Sequence, residues 1–396
     1  MKKIVFVTEG LYRGGVETTL LNWIETIDLT KYRVSVLLNN KEGDLLQCIP
    51  QNIQVVEIPE LCKYINGNYK ERWKHFMKSE GIYIALLFLI KTILYKMFCN
   101  RGKYYGWILK HVKKYPEKFD YAISYTMPDS ICTGYVQECM EAEHKWMWCH
   151  IDVDFYHNHE LDGMEKFFEK YDKIINVSEC AKTNFEKKYE NLKQKSCCIY
   201  NRVDVQKIMR KAKEIERQFD KSDISFLTVG RIDAQKGQDM IIDVACILRA
   251  LGYNFKWYLV GPKADIHFYD RLEKRIDELH LKERIIYLGE TANPYGYMAQ
   301  CDVYVQPSRY EGYCTTVTEA KYLCKPIVMT NVSGADEQIR NYENGIITEK
   351  TIEGLYKGIS DMLNLYGLRS RIVNNLKKER YYEQVEFDVV ISKLGM

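Results

Sequence analysis

Residues 225–237 read SFLTVGRIDAQKG, in which a run of β-branched and aromatic residues ends on a glycine and a second glycine closes the loop. Residues 241–248 then carry apolar side chains at helical spacing. Strand, glycine turn and helix together predict one unit of a parallel α/β fold. Arg231 and Lys236 bring two cations to the end of this strand, where the following helix adds its dipole. The loop therefore suits a diphosphate.

An acidic motif lies further along the chain. Residues 308–313 read SRYEGY, and Glu319 follows Glu311 by eight residues, about two turns into a predicted helix. Carboxylates in these places can accept hydrogen bonds from sugar hydroxyls, as the acid of a dinucleotide site does from ribose. Phosphates are predicted to meet three consecutive backbone N–H groups, those of Tyr313, Cys314 and Thr315.

The amino-terminal half shows the same pattern. Residues 4–7 (IVFV) predict a strand, Gly14 and Gly15 a turn, and residues 17–27 a helix. Further strands of this half are predicted at 33–38, 121–125, 145–149 and 173–177. The carboxyl-terminal half adds predicted strands at 256–260, 285–288, 303–306 and 326–330.

Two such halves predict an α/β fold with two Rossmann-like, doubly wound domains that face a cleft. The first domain is predicted at 1–200, with the carboxyl-terminal segment 378–396 packing back on it, and the second at 201–377. The charged stretch 207–223 is predicted to mark the edge between them.

Charge is distributed unevenly along the 396 residues. The formal net charge is 57 − 54 = +3, yet residues 63–118 hold 13 Lys and Arg against three acids, a local net of +10. The rest of the chain therefore sums to 3 − 10 = −7. One basic block on a mildly acidic body indicates a surface that faces something anionic.

The cysteine pattern excludes some classes of protein. The 13 cysteines are odd in number and contain no C-x-x-C motif, which supports neither a disulfide scaffold nor a zinc site. The apolar fraction of 46% excludes a disordered chain. The first residues reach an acid and a glycine too soon for a signal peptide, so reduced thiols in a cytoplasm are expected.

The ordered set of motifs resembles the retaining GT-B glycosyltransferases of glycosyltransferase family 4, over nearly the whole chain. Besides the two cations and the two glutamates, the motifs that carry the resemblance are Gly14-Gly15-x-Glu17, His150 after a strand, Val177-Ser178-Glu179, Asn201, Thr330-Asn331-x-x-Gly334 and Asn344-Gly345. Two positions depart from the family pattern. Cys314 stands where glycine is frequent, which leaves the identity of the donor sugar open, and Arg202 follows Asn201.

The resemblance implies a role for each site residue. Arg231 and Lys236 would hold the donor pyrophosphate, Glu311 the hydroxyls of the donor sugar, and His150 would contact the transferred sugar from the first domain. The implied donor-binding set is Gly14, Gly15, Gly230, Gly312, Tyr313, Cys314, Thr315 and the ribose-binding Glu319. The family uses no metal and no other cofactor, since basic residues and helix ends neutralise the leaving diphosphate. It is described as lacking a protein nucleophile.

Two segments allow a second interpretation. Residues 152–154 (DVD) match the D-x-D metal motif of GT-A enzymes, but Asp152 could instead orient His150 or the acceptor. Residues 82–98 are strongly apolar yet too short to span a bilayer. They predict either a buried core helix or an interfacial helix, with Lys91, Lys96, Arg101 and Lys103 contacting anionic headgroups.

The family resemblance and the basic, apolar segment together predict a cytoplasmic enzyme, peripheral on the inner face of the cell membrane. It would transfer a sugar from a nucleotide sugar, a UDP-sugar, to a lipid-linked saccharide with retention, in capsule, exopolysaccharide or other cell-surface glycan synthesis. The predicted partners are the nucleotide sugar, the lipid-linked acceptor and an anionic membrane surface contacted through 63–118. No nucleic-acid partner is predicted, because no binding motif accompanies the charge. The alternatives are a GT-B-fold nucleotide-sugar epimerase, a DNA-modifying transferase and a non-catalytic partner subunit.

Overall fold

The computed structural model describes residues 1–65, 68–156, 159–215, 218–220, 222–379 and 386–394, which form two compact units. The first unit contains Met1–Tyr200 and a returning helix at Phe387–Leu394, and the second begins at Asn201. Phe387 anchors the returning helix, since its ring centroid lies 5.6 Å from that of Phe6 and 5.8 Å from that of Trp23. Of the predicted segment 378–396, residues 380–385 and 395–396 lie outside the described residues.

A seven-stranded sheet organises the first unit. Its strands are β1 (Lys2–Thr8), β2 (Tyr32–Leu38), β3 (Gln54–Glu57), β4 (Lys118–Thr126), β5 (Glu141–Cys149), β6 (Lys173–Asn176) and β7 (Ser196–Cys198). All neighbours pair in parallel, in the order β3-β2-β1-β4-β5-β6-β7. The direction of winding therefore reverses between β1 and β4.

Most helices of the first unit connect these strands along the chain. They are α1 (Gly15–Ile24), α2 (Pro59–Ile65), α3 (Tyr69–Ser79), α4 (Ile82–Phe98), α5 (Arg101–Ile108), α6 (Ile131–Cys139), α7 (Glu165–Phe168) and α8 (Glu179–Lys188). Short 3₁₀ helices occur at Asp44–Cys48, Val153–Phe155 and Glu190–Lys195. Helix α3 begins at a capping box in which Asn68 and Glu71 satisfy each other's backbone N–H groups.

A six-stranded sheet organises the second unit. Its strands are β8 (Ile224–Val229), β9 (Phe255–Val260), β10 (Ile285–Gly289), β11 (Val303–Gln306), β12 (Ile327–Thr330) and β13 (Ile346–Thr348). They pair in parallel in the order β10-β9-β8-β11-β12-β13. This is the 3-2-1-4-5-6 strand order of a Rossmann sheet.

The helices of the second unit complete the alternation. They are α9 (Val205–Lys211), α10 (Gln238–Ala250), α11 (Ile266–Glu278), α12 (Tyr295–Gln300), α13 (Thr315–Tyr322), α14 (Ala335–Gln338), α15 (Ile352–Asn364) and α16 (Leu368–Glu379); the returning helix of the first unit is α17 (Phe387–Leu394). Two parallel Rossmann-like sheets confirm the predicted α/β class.

The predicted domain edge at 207–223 needs correction. Helix α9 is part of the second unit, because Ile208 is buried and the side-chain amide of Asn293 donates a hydrogen bond of 2.9 Å to the carbonyl of Lys211. Residues 216, 217 and 221 lie outside the described residues.

Among the described residues, no helix combines the length and the apolarity needed to cross a bilayer.

Candidate active site

Open parallel sheets bind ligands beyond the carboxyl ends of their strands, at the point where the winding reverses. In the second unit this point lies between β8 and β11, which pair directly through Phe226 with Val303 and Leu227 with Tyr304. Arg231 and Lys236 follow β8, and Glu311 follows β11. Strand order therefore brings together two loops that are 75 residues apart in the sequence.

Gly237 allows these two loops to meet. Its φ of 70° is left-handed, and a Cβ added there would lie 2.1 Å from the carbonyl oxygen of Pro307, which follows β11. A side chain at this position would thus be strained and would also collide with backbone. The glycine lets α10 begin directly against the loop that carries Glu311.

Lys236 and Glu311 form a buried ion pair at this point. Lys236 Nζ lies 2.6 Å from Glu311 Oε1, and the side chains are 16% and 9% exposed. Burial opposes the lysine's charge, but its neighbours, Glu311 foremost and Cys314 beside it, together outweigh burial, so the pKa of Lys236 is raised above its usual value. An ammonium group has three N–H donors, so Lys236 can keep Glu311 and still donate to an incoming anion.

A chain of buried hydrogen bonds fixes the orientation of Glu311. Ser308 Oγ donates to Glu311 Oε1 at 2.7 Å, and Gln306 Nε2 donates to Ser308 Oγ at 2.8 Å. Gln306 Oε1 in turn accepts from the hydroxyls of Tyr304 at 2.7 Å and Thr316 at 3.1 Å. Sequence reasoning missed Gln306 and Tyr304, although both lie in a predicted strand next to the motif.

Arg231 lies on the same loop and is more exposed, at 48% of its side chain. Its Nε lies 3.4 Å from Asp233 Oδ2, and its Nη2 donates to Gln235 Oε1 at 3.0 Å. Asp233 Oδ1 accepts the backbone N–H of Lys236 at 3.0 Å, so one aspartate contacts both predicted phosphate-binding residues. Gly230, which precedes Arg231, packs against the Lys236 side chain.

Glu319 lies in α13, slightly more than one turn from its start rather than the predicted two turns. It is buried, and its Oε1 accepts a hydrogen bond of 3.1 Å from the hydroxyl of Tyr295. Burial raises the pKa of Glu319 to about 7, although the Tyr295 hydroxyl acts in the opposite direction. The carboxyl group therefore changes its charge near neutral pH.

The backbone at the start of α13 corrects one prediction. The N–H of Cys314 donates to Gln338 Oε1 at 3.2 Å, while Gln338 Nε2 donates to the Cys314 carbonyl at 2.7 Å. Cys314 N–H is thus already used inside the protein, contrary to its predicted role toward phosphate. Gly312 is buried and Tyr313 and Thr315 are half-buried beside it; their donor-binding roles stay predictions.

In the first unit, Gly14 and Gly15 form the start of α1. Gly14 is the N-cap residue in an extended conformation, and its carbonyl accepts the N–H of Thr18 at 3.0 Å. As a glycine, this N-cap residue has no side chain of its own to cap the helix. A Cβ at Gly14 would lie 2.3 Å from Glu17 Oε2, so glycine allows this side chain to fold back over the helix start.

His150 follows β5 and is unusual for a buried histidine. Neither ring nitrogen has a hydrogen-bond partner within the part of the chain that the structure describes. The ring lies 4.3 Å from Tyr125 and is parallel to Trp148 at 6.3 Å. Burial lowers the pKa of His150 to about 3, so the imidazole is neutral near pH 7. A buried polar group left without a partner is a candidate for binding a ligand.

Asp152 does not orient His150, as the sequence had suggested it could. Its Oδ1 accepts the N–H of Asp154 at 3.0 Å, and its Oδ2 accepts from Asn184 at 2.8 Å. The carboxylate caps a 3₁₀ helix. Among the described residues, no group of three or more His, Cys, Asp and Glu is arranged to hold a metal ion.

A polar cluster at the carboxyl edge of the first sheet was missed by sequence reasoning. Glu9 follows β1 and accepts hydrogen bonds from Asn39, after β2, and from Ser130, after β4. Asp129 pairs with Arg101 and accepts from the hydroxyl of Tyr156 at 2.7 Å. The signal was present, because polar residues directly after neighbouring parallel strands meet at one edge of the sheet.

Replacing His150 with phenylalanine should separate a ligand-binding role from a packing role. We expect the variant to be as stable as the wild type or more so by about 1 kcal/mol, because two buried nitrogens without partners are removed. Turnover should nevertheless fall by about 10- to 100-fold, since a hydrogen bond to substrate would be lost. Thermal unfolding and steady-state kinetics measure the two effects.

His144→Phe is the matched control for that substitution. His144 lies in β5, the strand that precedes His150, and stacks on Tyr121 at 5.1 Å. The His144→Phe variant should have the turnover of the wild type. Equal loss of activity in both variants, or none in His150→Phe, would remove His150 from the site.

Comparison with known proteins finds similarity to glycosyltransferases. Residues 209–379 match the family model of Glycosyl transferases group 1. The chain is 31% identical over 202 residues to the N-acetylgalactosamine-N,N'-diacetylbacillosaminyl-diphospho-undecaprenol 4-alpha-N-acetylgalactosaminyltransferase of Campylobacter jejuni, covering 50% of this chain and 53% of that protein. It is 30% identical over 156 residues to the capsular polysaccharide biosynthesis glycosyltransferase CapM of Staphylococcus aureus, covering 38% and 39%.

The chain thus spans about half the length, or less, of these two curated relatives. The crystal structure of Anabaena Alr3699/HepE in complex with UDP-glucose superimposes with a TM-score of 0.70 at 16% identity, over 100% of this chain and 98% of that one. At that identity the likeness concerns the fold. The two Rossmann-like sheets match the fold of that GT-B glycosyltransferase structure, and the similarity to the family model of Glycosyl transferases group 1 covers residues 209–379, less than half of the chain.

Proposed function

We propose that this protein transfers a sugar from a UDP-sugar to a lipid-linked saccharide, with retention at the anomeric carbon, in capsule, exopolysaccharide or other cell-surface glycan synthesis. The observation that carries the proposal is the buried Lys236–Glu311 pair at the switch point of the second sheet. The pair places a cation that can bind a phosphate directly beside a carboxylate that can accept a hydrogen bond from a sugar hydroxyl.

The donor would use both members of the pair. Lys236 and Arg231 would donate to the pyrophosphate, since both side chains lie on the loop after β8. Glu311 Oε1 accepts hydrogen bonds from Lys236 Nζ and Ser308 Oγ. A carboxylate can accept about four hydrogen bonds, so Glu311 retains capacity for hydroxyls of the sugar. Glu319 would accept hydroxyls of the ribose.

The reaction exchanges one bond at the anomeric carbon for another. The bond from this carbon to the UDP oxygen breaks, and the acceptor oxygen bonds to the carbon on the same face. The acceptor's proton passes to the departing phosphate oxygen. In this proposal Lys236 and Arg231 stabilise the charge that develops on UDP, and no metal or protein nucleophile takes part.

The acceptor and the place of action rest on separate support. The Campylobacter relative is named for a diphospho-undecaprenol acceptor, and the Staphylococcus relative for capsule biosynthesis. The net charge of +10 over residues 63–118 supports a position at an anionic membrane surface, which we place on the inner face of the cell membrane.

Purified protein should release UDP from a UDP-sugar only when a polyprenyl-diphosphate saccharide is present. The release should persist in EDTA, and NMR of the product should show the donor's anomeric configuration. A set of UDP-sugars that all fail with this acceptor would contradict the proposal. So would conversion of the donor to another nucleotide sugar without acceptor, which is the behaviour of an epimerase.

A further inference from the structure

Helix α4 presents an unusual number of large apolar side chains to solvent. Of its 17 residues, nine are large hydrophobics with exposures between 38% and 70%. They are Ile82, Tyr83, Leu86, Leu89, Ile90, Ile93, Leu94, Met97 and Phe98. A patch of this kind on a folded protein marks a surface that contacts something apolar.

These residues share one face of the helix. At about 100° per residue, the nine positions fall within one arc of about 180°. Lys91 borders this arc on one side and Lys96 on the other, and α4 contains no Asp or Glu. An apolar arc with a lysine at each edge is the pattern of a helix that lies in a membrane interface.

The opposite face of α4 is fixed by packing within the first unit. The ring of Phe88 stacks on Phe76 of α3 at 4.8 Å. Thr92 Oγ1 lies 3.2 Å from the hydroxyl of Tyr104 in α5, on whose ring Tyr95 stacks at 4.8 Å. The helix is therefore held by α3 and α5 on its inward face, while the nine apolar side chains of its outward face are exposed.

We propose that α4 lies in the plane of an anionic lipid bilayer, with its outward face inserted between the headgroups and the acyl chains. The proposal rests on the proposed function, because it concerns access to a lipid-linked acceptor. It goes further by assigning membrane binding to apolar insertion of α4 and not to the basic block alone. The helix would lie about 5–10 Å deep, parallel to the surface.

Charge complementarity favours a bilayer as the occupant. The segments that flank α4 in the sequence carry further exposed cations, against the two exposed acids Glu71 and Glu80; the cations are Lys70, Lys74, Lys78, Lys103, Lys110, Lys113 and Lys114. Arg101 does not join them as the sequence predicted, because it pairs with Asp129 and is only 20% exposed. Lysines around an apolar face match anionic headgroups around acyl chains.

A second copy of the chain fits this face less well. Two copies packed face to face would bring four lysines of the two arcs together, which is electrostatically unfavourable.

The test replaces three outward residues at once, Leu86→Gln, Ile90→Gln and Ile93→Gln, which are 50%, 51% and 56% exposed. Flotation with vesicles of equal phosphatidylcholine and phosphatidylglycerol measures binding. We expect the wild type to float and the triple variant's partition coefficient to fall at least about tenfold, with most wild-type binding surviving high salt because insertion is apolar.

The matched control replaces Leu251, Ile266 and Leu365 of the second unit with glutamine. These residues are 56%, 52% and 48% exposed, so the control removes a similar amount of exposed apolar surface. Its flotation should equal that of the wild type. Unchanged flotation of the α4 variant would overturn the proposal, and so would a shift from dimer to monomer in sedimentation without loss of flotation.

A short-chain acceptor in detergent separates this proposal from the proposed function. The α4 variant should transfer sugar to that acceptor at the wild-type rate, and only its activity on vesicle-embedded acceptor should fall. A wild type that floats but transfers no sugar would refute the proposed function alone. One that transfers sugar without floating would refute membrane insertion alone.

Discussion

Lys236→Met should lower acceptor-dependent UDP release by about 10²–10³-fold. Removing one fixed group that stabilises a developing charge typically costs this much in rate. Lys236 is positioned for that role by Gly237 and by the Asp233 side chain that accepts its backbone N–H. Steady-state kinetics should show the loss mainly in kcat, because the charge on the phosphate grows as the bond to the sugar breaks.

The single substitution also leaves a buried carboxylate without its cation. Breaking a buried ion pair from one side costs about 3–5 kcal/mol, so the Lys236→Met variant should also unfold at a lower temperature. The double variant Lys236→Met/Glu311→Gln removes both charges and should recover most of this stability. Ser308 Oγ can still donate to the amide oxygen that replaces Glu311 Oε1.

Activity and stability should therefore separate in the double variant. Its thermal unfolding should approach that of the wild type, while UDP release stays at or below the level of the single variant. Lys256→Met serves as the control. Lys256 also forms an ion pair with a carboxylate, that of Asp223 at 3.4 Å, but it lies at the start of β9, away from the carboxyl ends of the strands. Recovery of turnover together with stability would show that the pair is structural.

The local parts of this site could be predicted from sequence. A strand that ends on Gly230 and a helix that starts after Gly237 follow from short-range patterns, and β8 and α10 confirm them. Fold class followed from the repetition of such units. The contact of Lys236 with Glu311 depends on the position of β11 next to β8, and strand order is set by the whole sheet.

Long-range partners could not be predicted. The side chain of Gln338, 24 residues away in the sequence, accepts the hydrogen bond from the N–H of Cys314. No local sequence pattern predicts this contact. Helix α4 was ambiguous for another reason. Because nearly every residue in 82–98 is apolar, periodicity could not separate its inward from its outward face. Phe76 and Tyr104, on neighbouring helices, determine which face is buried.

Glu319→Gln should make the protein more stable at pH 8 while weakening its binding to UDP. The pKa of Glu319 is about 7 in the folded chain, against 4.5 as its ordinary value. The folded state therefore binds this proton more tightly than the unfolded state. The free energy of unfolding should be highest below about pH 4.5 and fall as the pH rises toward 7.

Above pH 7 the buried carboxylate costs about 3 kcal/mol relative to its neutral form, from 2.5 pKa units at about 1.36 kcal/mol each. Glutamine is neutral at every pH and keeps an oxygen to accept from Tyr295. The variant should thus unfold about 5–10 °C higher than the wild type at pH 8 and at a similar temperature at pH 5. Thermal unfolding across this range measures the difference.

The affinity for UDP should fall in the Glu319→Gln variant, although its stability at pH 8 rises. An ionised Glu319 accepts hydrogen bonds from ribose hydroxyls more strongly than a neutral amide, by about 1.5–3 kcal/mol, so UDP affinity should fall about 10- to 100-fold in the variant. Wild-type affinity should tighten as the pH rises through 7, and the variant's should not change. Glu278→Gln, at an exposed pair with Lys274, should alter neither property. A gain in stability without loss of UDP affinity would mean that the burial of Glu319 serves the fold alone.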